Sequence, residues 1–173
     1  FCPLGGSGEI GMNMNLYAYG KEDSQKWIIV DMGVTFADDT IPGVDLIMPD
    51  PGFIIDKKDD LLGIVLTHAH EDHIGAVAHI WPELKCKLFA TPFTAALLNE
   101  KFKEKKIDIS SFLKIVPLNS QIKLGDFEID FVTLTHSILE PNGLSIKTPL
   151  GTILHTGDWK IDPNPLIGNR IDE

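Results

Sequence analysis

The segment His68-Ala69-His70-Glu71-Asp72-His73 constrains the fold and chemistry of this 173-residue chain more than any other part of it. It places three imidazoles and the Asp72 carboxylate within six residues, directly after the apolar run Leu61–Leu66. Imidazole nitrogens with a carboxylate oxygen suit zinc, manganese or iron. A chance match to His-x-His-x-Asp-His at this composition is roughly one in 1,500. A polar loop of hydrogen-bonded histidines is the weaker explanation, and the motif predicts a metal site.

The position of the motif predicts how its first two histidines are used. A buried strand is predicted to end at Thr67, and open α/β sheets place their ligands at such carboxyl ends. In extended backbone, residues two apart point the same way, so His68 and His70 are predicted to hold one metal together.

The last part of the motif predicts a second metal. A helix is expected from Glu71 to about Ile80. Asp72 and His73 lie at its start and would face a point next to the first site. Glu71 would point elsewhere, and we expect its carboxylate to accept a hydrogen bond from an imidazole and so orient it.

Two residues further along the chain are candidate ligands. His136 follows the predicted strand Phe127–Leu134, and Asp158 follows a strand that ends at His155. His136 would complete the first site, and Asp158 would bridge both ions through its two oxygens. Alone, a histidine or aspartate at a strand end is as easily structural, but here both follow the metal motif.

Three other polar residues have weaker signals. His155 lies three residues before Asp158, and strand alternation predicts that it packs or supports a ligand from the other face. His79 lies about 600° around the expected helix from His73 and should point away from the site. Asp31 ends the predicted strand Trp27–Asp31, where it either supports the ligands or caps the strand.

These features together resemble the metallo-β-lactamase superfamily, in which each ligand group follows a strand. The superfamily pattern is matched by His68-x-His70-x-Asp72-His73, His136 and Asp158. Within the superfamily, the chain resembles ribonuclease J, a family of β-CASP nucleases, from about Pro3 to Asp162. The segments that carry this resemblance are Pro3–Asn13, Thr135–Ile138 and His155–Asp162.

The resemblance implies a fold, a cofactor and an activity. The fold would be an α/β, four-layer αββα sandwich, and the cofactor would be two divalent ions, Zn2+ first, with Mn2+ or Mg2+ as alternatives. The activity would be hydrolysis of RNA phosphodiesters by metal-activated water, internally and from the 5′ end, leaving a 5′-phosphate and a 3′-hydroxyl. Catalysis would rest on Asp72 as ligand and proton acceptor, on Asp158 as bridge, and on His73.

The resemblance also bears on the extent of the domain. Ribonuclease J carries an inserted β-CASP domain and, after it, a final histidine ligand. Residues 1–173 are therefore expected to form the N-terminal portion of the metallo-β-lactamase domain, with the insertion and the remainder outside this chain. The piece alone would then be inactive, whereas the parent would be a homo-oligomer, acting in the cytoplasm and in an RNA-degradation assembly. One departure is Leu139–Asn142, which stands where a Pro-Asp-Ser-like turn is usual.

Composition adds limits on partners and location. No apolar run approaches 18 residues, so no membrane span is expected. Cys2 and Cys86 are isolated, which indicates neither a disulfide framework nor a cysteine metal site and favours a reducing cytoplasm. The net charge of −10 is unusual for a nucleic-acid partner, although two divalent ions would bring it to −10 + 4 = −6.

Two other functions stay open. The chain could belong to another hydrolase of the superfamily, acting on a thioester, lactone or small phosphodiester, which its acidity favours slightly. It could also be a non-catalytic, metal-stabilised subunit, although inactive members generally lose ligands and none is lost here. The Gly5–Gly11 segment lacks the Gly-Lys-Ser/Thr ending of a phosphate loop; Ser7 and Glu9 remain candidate substrate contacts.

The remaining prediction concerns secondary structure. Val34–Asp60 is predicted to be a long loop beside the site, and Pro92–Lys105 a helix. Strands are expected at Met14–Tyr19, Trp27–Asp31, Lys87–Ala90, Phe112–Pro117, Gln121–Lys123, Phe127–Leu134, Gly143–Lys147 and Thr152–His155.

Overall fold

A computed structural model of the chain describes residues 1–168, 170 and 171. The strands of this part are β1 (Cys2–Gly5), β2 (Met14–Tyr19), β3 (Lys26–Val30), β4 (Thr35–Phe36), β5 (Leu46–Ile47), β6 (Leu61–Val65), β7 (Leu88–Ala90), β8 (Leu113–Ile115), β9 (Gln121–Leu124), β10 (Phe127–Thr133), β11 (Asn142–Thr148) and β12 (Gly151–His155). Its α-helices are α1 (Gly52–Ile55), α2 (Glu71–Ile74), α3 (Val77–Leu84) and α4 (Pro92–Glu104).

The strands form two main sheets and a small ribbon. A six-stranded sheet has the order β1-β2-β3-β6-β7-β8, antiparallel from β1 to β3 and parallel from β3 to β8. An antiparallel four-stranded sheet has the order β12-β11-β10-β9. The pair β4-β5 forms the ribbon. The parallel strands β3 and β6 end side by side, so the loops that follow them meet at one edge.

Two apolar layers hold these sheets in place. All four helices contribute to a cluster on one face of the six-stranded sheet, in which Trp81 of α3 packs edge-on against Phe102 of α4. The four-stranded sheet packs on the opposite face, and β10 alternates buried and part-buried residues, with Phe127 and Phe131 turned inward. Because β3 lies between both layers, it is apolar on both faces, as buried parallel strands are.

The layers confirm the α/β class and the expected metallo-β-lactamase architecture. From one side to the other, the layers are the helices, the six-stranded sheet and the four-stranded sheet. These are three of the four layers of an αββα sandwich. Within the described residues, no helix contributes to the cluster between the sheets, and none covers the outer face of the four-stranded sheet.

Two sequence predictions are wrong in detail. The segment Val34–Asp60 is not a plain loop, since it contains β4, β5, α1 and a single 3-10 turn at Lys58–Asp60. The helix predicted from Glu71 to Ile80 is divided into α2 and α3 at Gly75-Ala76. The amide of Ala76 donates to the carbonyl of Met32 instead of to a carbonyl one helical turn back.

Candidate metal centre

Three histidine rings converge where β6 and β10 end. The Nδ1 atom of His70 lies 3.1 Å from Nε2 of His68 and 3.2 Å from Nε2 of His136. All three ligand atoms fall within 4.8 Å of one another. His68 is fully buried, whereas His70 and His136 are part-buried and leave this group open on one side. The structure thus brings together the three residues predicted for the first site.

The chemistry of this group fits a cation. A neutral imidazole has one donor nitrogen and one acceptor nitrogen. Three ring nitrogens that face one another therefore cannot all be satisfied by hydrogen bonds, because a shared proton serves only one pair. A divalent ion would satisfy all three lone pairs, and three histidines with an open fourth position are a frequent zinc arrangement.

A second group is centred on His73 and shares His68 with the first. The ligand atoms of His68, His73 and Asp158 also lie within 4.8 Å of one another. Asp158 places Oδ1 3.4 Å from Nε2 of His73 and Oδ2 3.7 Å from Nε2 of His136. Asp72 reaches the same group, with Oδ2 3.5 Å from Nε2 of His73. Each oxygen of Asp158 therefore faces one of the two groups.

A buried carboxylate sets the tautomers of two of these rings. Asp31 is fully buried at the end of β3, in a left-handed conformation with φ of 61°. Its Oδ2 accepts hydrogen bonds of 2.8 Å from Nδ1 of His73 and from the Thr67 hydroxyl. Since the Thr67 proton is committed to Asp31, its oxygen accepts from Nδ1 of His68, 3.0 Å away. In the neutral rings, both Nε2 atoms then carry the lone pair toward the centre.

The protonation states differ between the two groups. Burial, followed by the positive charge of His73, lowers the pKa of His68 to about 3, so this ring is neutral at pH 7. Burial alone would lower the pKa of His73, but the charge of Asp31 and hydrogen bonds to Asp158 and Asp31 raise it to about 10. The hydrogen bond from His73 lowers the pKa of Asp158 to about 2. Without a metal, the second group therefore holds a proton where a cation would bind.

Two residues that the sequence did not single out as ligand supports fix the backbone of α2. Asn13 donates to the carbonyl of Asp72 through both its backbone and side-chain amides, at 2.9 and 3.0 Å. Gly33 packs so closely against α2 that an added Cβ would lie 1.6 Å from the same carbonyl oxygen. Asn13 comes shortly after the glycine-rich segment Gly5–Gly11, and this position was the sequence signal that could have identified it.

The structure also locates the polar residues that had weaker sequence signals. His79 is exposed on α3, as expected, and Nδ1 of His155 is 2.9 Å from the Tyr17 hydroxyl. The expectation for Glu71 was wrong: its carboxylate binds the ammonium group of Lys101 at 2.5 and 2.8 Å and no imidazole. Of the two alternatives for Asp31, the structure shows a hydrogen bond to His73, a candidate ligand.

The chain has two packed sheets, with groups of histidine and aspartate side chains at the ends of their strands. This arrangement is typical of proteins with the metallo-β-lactamase fold. The family model described as a β-lactamase superfamily domain matches residues 26–173, and the chain belongs to this superfamily. Among solved structures, the metallo-β-lactamase fold protein YhfI from Bacillus subtilis superimposes with a TM-score of 0.57 at 15% identity. The match covers 88% of this chain and 58% of YhfI. It therefore supports the fold alone.

Within the superfamily, the chain is similar in sequence to curated proteins named ribonuclease J. The chain is 47% identical to ribonuclease J of Sinorhizobium meliloti over 100% of its own length and 31% of that protein. It is 42% identical to ribonuclease J of Helicobacter pylori, over 95% of this chain and 23% of the relative. The chain thus spans less than a third of the length of these relatives. Within the described residues, no helix is long and apolar enough to cross a membrane.

Proposed function

We propose that this chain provides ligands for two divalent metal ions in a ribonuclease J-like ribonuclease. The observation that carries the proposal is the pair of ligand groups that share His68 and that each face one oxygen of Asp158, in a chain 47% identical to a ribonuclease J. His68, His70 and His136 would hold one ion. Asp72 and His73 would hold the other, with Asp158 shared between them. The donor set suits Zn2+ best, with Mn2+ or Mg2+ as alternatives.

The chain's own residues would prepare this site for hydrolysis of an RNA phosphodiester. When bound, the ions would supply an activated water at neutral pH and stabilise the negative charge that gathers on phosphorus. Asp31 and Thr67 hold the rings of His73 and His68 in fixed orientations. Asp72, whose side chain is 31% exposed, is the carboxylate placed to accept a proton from the attacking water. Attack in line with the 3′-oxygen would leave a 5′-phosphate and a 3′-hydroxyl.

Partners and location follow from the same proposal. RNA is the substrate, cut internally and from the 5′ end, by a cytoplasmic homo-oligomer that works in an RNA-degradation assembly. Residues 1–173 form the N-terminal portion of the catalytic domain, with a β-CASP insertion and a final histidine ligand elsewhere in the protein. Because the net charge is −10, most contacts to the RNA backbone would be made by those other parts.

The decisive experiment compares RNA cleavage by the protein that carries this chain with cleavage by its variants. His68→Ala and Asp158→Ala should abolish cleavage of a 5′-monophosphorylated RNA, whereas the exposed-histidine control His79→Ala should retain it. Products are analysed for 5′-phosphate ends. Unchanged cleavage by Asp158→Ala would refute the bridging role. Turnover of a thioester or lactone with no RNA cleavage would instead favour the other hydrolases of the superfamily, which the acidic composition favours slightly.

A further inference from the structure

The N-terminus of α4 is capped by a residue from the loop that carries His136. The carboxylate Oε2 of Glu140 accepts a hydrogen bond of 2.8 Å from the amide of Phe93, in the first turn of α4. Thr91, the residue that precedes the helix, makes no capping hydrogen bond with its side chain. Pro92 has no amide proton to offer. A distant carboxylate therefore does what a local cap usually does, at the end of a helix that favours negative charge.

The same loop is closed upon itself and tied to the metal motif at its base. The amide of Leu134 donates to the carbonyl of Pro141 at 3.0 Å. Asn142, which is buried, donates through its backbone and side-chain amides to the carbonyl of Thr67, each at 3.2 Å. These bonds fix the two ends of the loop, and Thr135, next to His136, exchanges hydrogen bonds with Lys160. Residues 137 to 140, on the other side of His136, lie between these anchors.

In the stretch from residue 137 to residue 140, Ile138 packs against the apolar cluster under the helices, and polar contacts to other elements are few. Among the hydrogen bonds of the described residues, Glu140 is the only side chain between residues 137 and 140 that bonds another element. Glu140 adopts φ of 54°, a left-handed conformation that non-glycine residues rarely take unless their surroundings enforce it. His136, Phe93 and Glu140 line one cavity of about 300 Å³. The cap and the ligand thus share one small region.

We propose that Glu140 is a positioning residue for His136: by capping α4 it fixes the loop so that the His136 ring stays beside His70. This inference rests on the metal site of the proposed function. The competing explanation is that Glu140 only stabilises α4. The two differ in what they predict for metal binding, because a cap that serves only the helix would change the stability of the chain and not its affinity for metal.

The test is zinc affinity of the chain by competition with a chromophoric chelator, with the Co2+ absorption spectrum as a second readout. Glu140→Ala should weaken affinity about tenfold or more, as loss of groups that orient ligands generally does, and should change the Co2+ spectrum. Glu140→Gln, which keeps the acceptor oxygen, should retain both within about threefold. Glu100→Ala removes an exposed carboxylate from α4, the helix that Glu140 caps, and serves as the control.

The outcomes separate the inference from the site itself. Failure of the unchanged chain to bind zinc would remove the metal site and with it this inference. Binding by the unchanged chain and equally by Glu140→Ala would overturn the role of Glu140 while leaving the site intact. Should Glu140→Ala not fold, Glu140→Met has a similar length and an apolar end that suits the cavity, and the same weakening is expected of it. Melting temperatures in chelator show whether each variant is folded.

Discussion

A single buried carboxylate, Asp31, determines which atoms of two ligand rings face the centre. It receives hydrogen bonds from His73 and from both the amide and the hydroxyl of Thr67. An amide at this position would present a donor to at least one group that already donates. We expect Asp31→Asn to lower metal affinity about 10- to 100-fold, measured by chelator competition.

The control for Asp31 is Asp38, an exposed carboxylate bonded to Thr40. Asp38→Asn should leave metal affinity unchanged. Equal affinities of Asp31→Asn and the unchanged chain would mean that the orientation of His73 and His68 is set by packing alone.

His73 gives the metal-free chain a distinct pH dependence. Its folded pKa of about 10 lies above the ordinary value of 6.5, because the charge of Asp31 and the hydrogen bonds to Asp158 and Asp31 outweigh burial. The protonated ring therefore contributes stability in full below about pH 6.5, and this contribution is lost as the pH rises through about 10. A metal at His73 must also displace this proton at neutral pH.

Proton release measures that displacement directly. Zinc added at pH 7.5 to a weakly buffered sample with an indicator dye should release one more proton from the unchanged chain than from His73→Ala. His68 has no proton to lose at this pH, since its pKa is about 3. Identical release from the two proteins would show that zinc does not displace a proton from His73.

Among the secondary-structure elements, the break between α2 and α3 could not be predicted from the sequence. The sequence predicted one helix from Glu71 to about Ile80. In the structure, the carbonyls of residues 71, 72 and 73 accept hydrogen bonds from the amides of Val34, Asn13 and Met32, respectively. These contacts come from segments distant along the chain, and local pattern cannot reveal them. The same holds for Glu71, whose partner Lys101 lies on α4.

The loops that carry His136 and Asp158 are joined by a pair of hydrogen bonds. Thr135 donates its hydroxyl to the carbonyl of Lys160 at 2.5 Å, and the amide of Lys160 donates to the carbonyl of Thr135 at 2.7 Å. Thr135 is 4% exposed. Thr135→Val keeps the shape and leaves the carbonyl of Lys160 without the hydroxyl, at a cost of about 1–3 kcal/mol.

The hydroxyl of Thr135 can be separated from its methyl group with a second variant. Thr135→Ser keeps the hydrogen bond and should lose less of the unfolding free energy, measured by urea denaturation in chelator. The valine variant should also bind metal more weakly. Without the hydroxyl, the loops that carry His136 and Asp158 lose one of the two hydrogen bonds that fix the distance between them. A serine variant that is less stable than the valine variant would point to packing of the methyl group instead.

For the molecule as a whole, the sequence predicted which candidate ligands lie close together better than it predicted the residues around them. The three histidines of the motif lie together with the two strand-end residues, His136 and Asp158, and Asp72 lies beside His73. Strand alternation, a local rule, predicts that His68 and His70 point the same way. His136 and Asp158 follow strands of the antiparallel sheet, and their place beside the motif depends on how the two sheets pack. Thr67 and Asn13 contact the motif residues His68 and Asp72. The contact of Asn13 joins segments distant along the chain, so the glycine-rich segment before it could mark the residue but not its partner.

Because the ligands come from both sheets, metal binding should stabilise the entire chain. His68 and His70 follow β6 of the first sheet, whereas His136 and Asp158 follow strands β10 and β12 of the second. An ion held by His68, His70 and His136 therefore joins layers that also meet through apolar packing and hydrogen bonds such as that between Tyr17 and His155. Free zinc at a hundred times its dissociation constant should add about 2.7 kcal/mol to the unfolding free energy. Denaturation across a zinc series measures this slope: His136→Ala should flatten it and His79→Ala should keep it. An equal slope in His136→Ala would mean that the stabilising ion does not use His136, because any ion that binds only the folded chain stabilises it according to its own affinity.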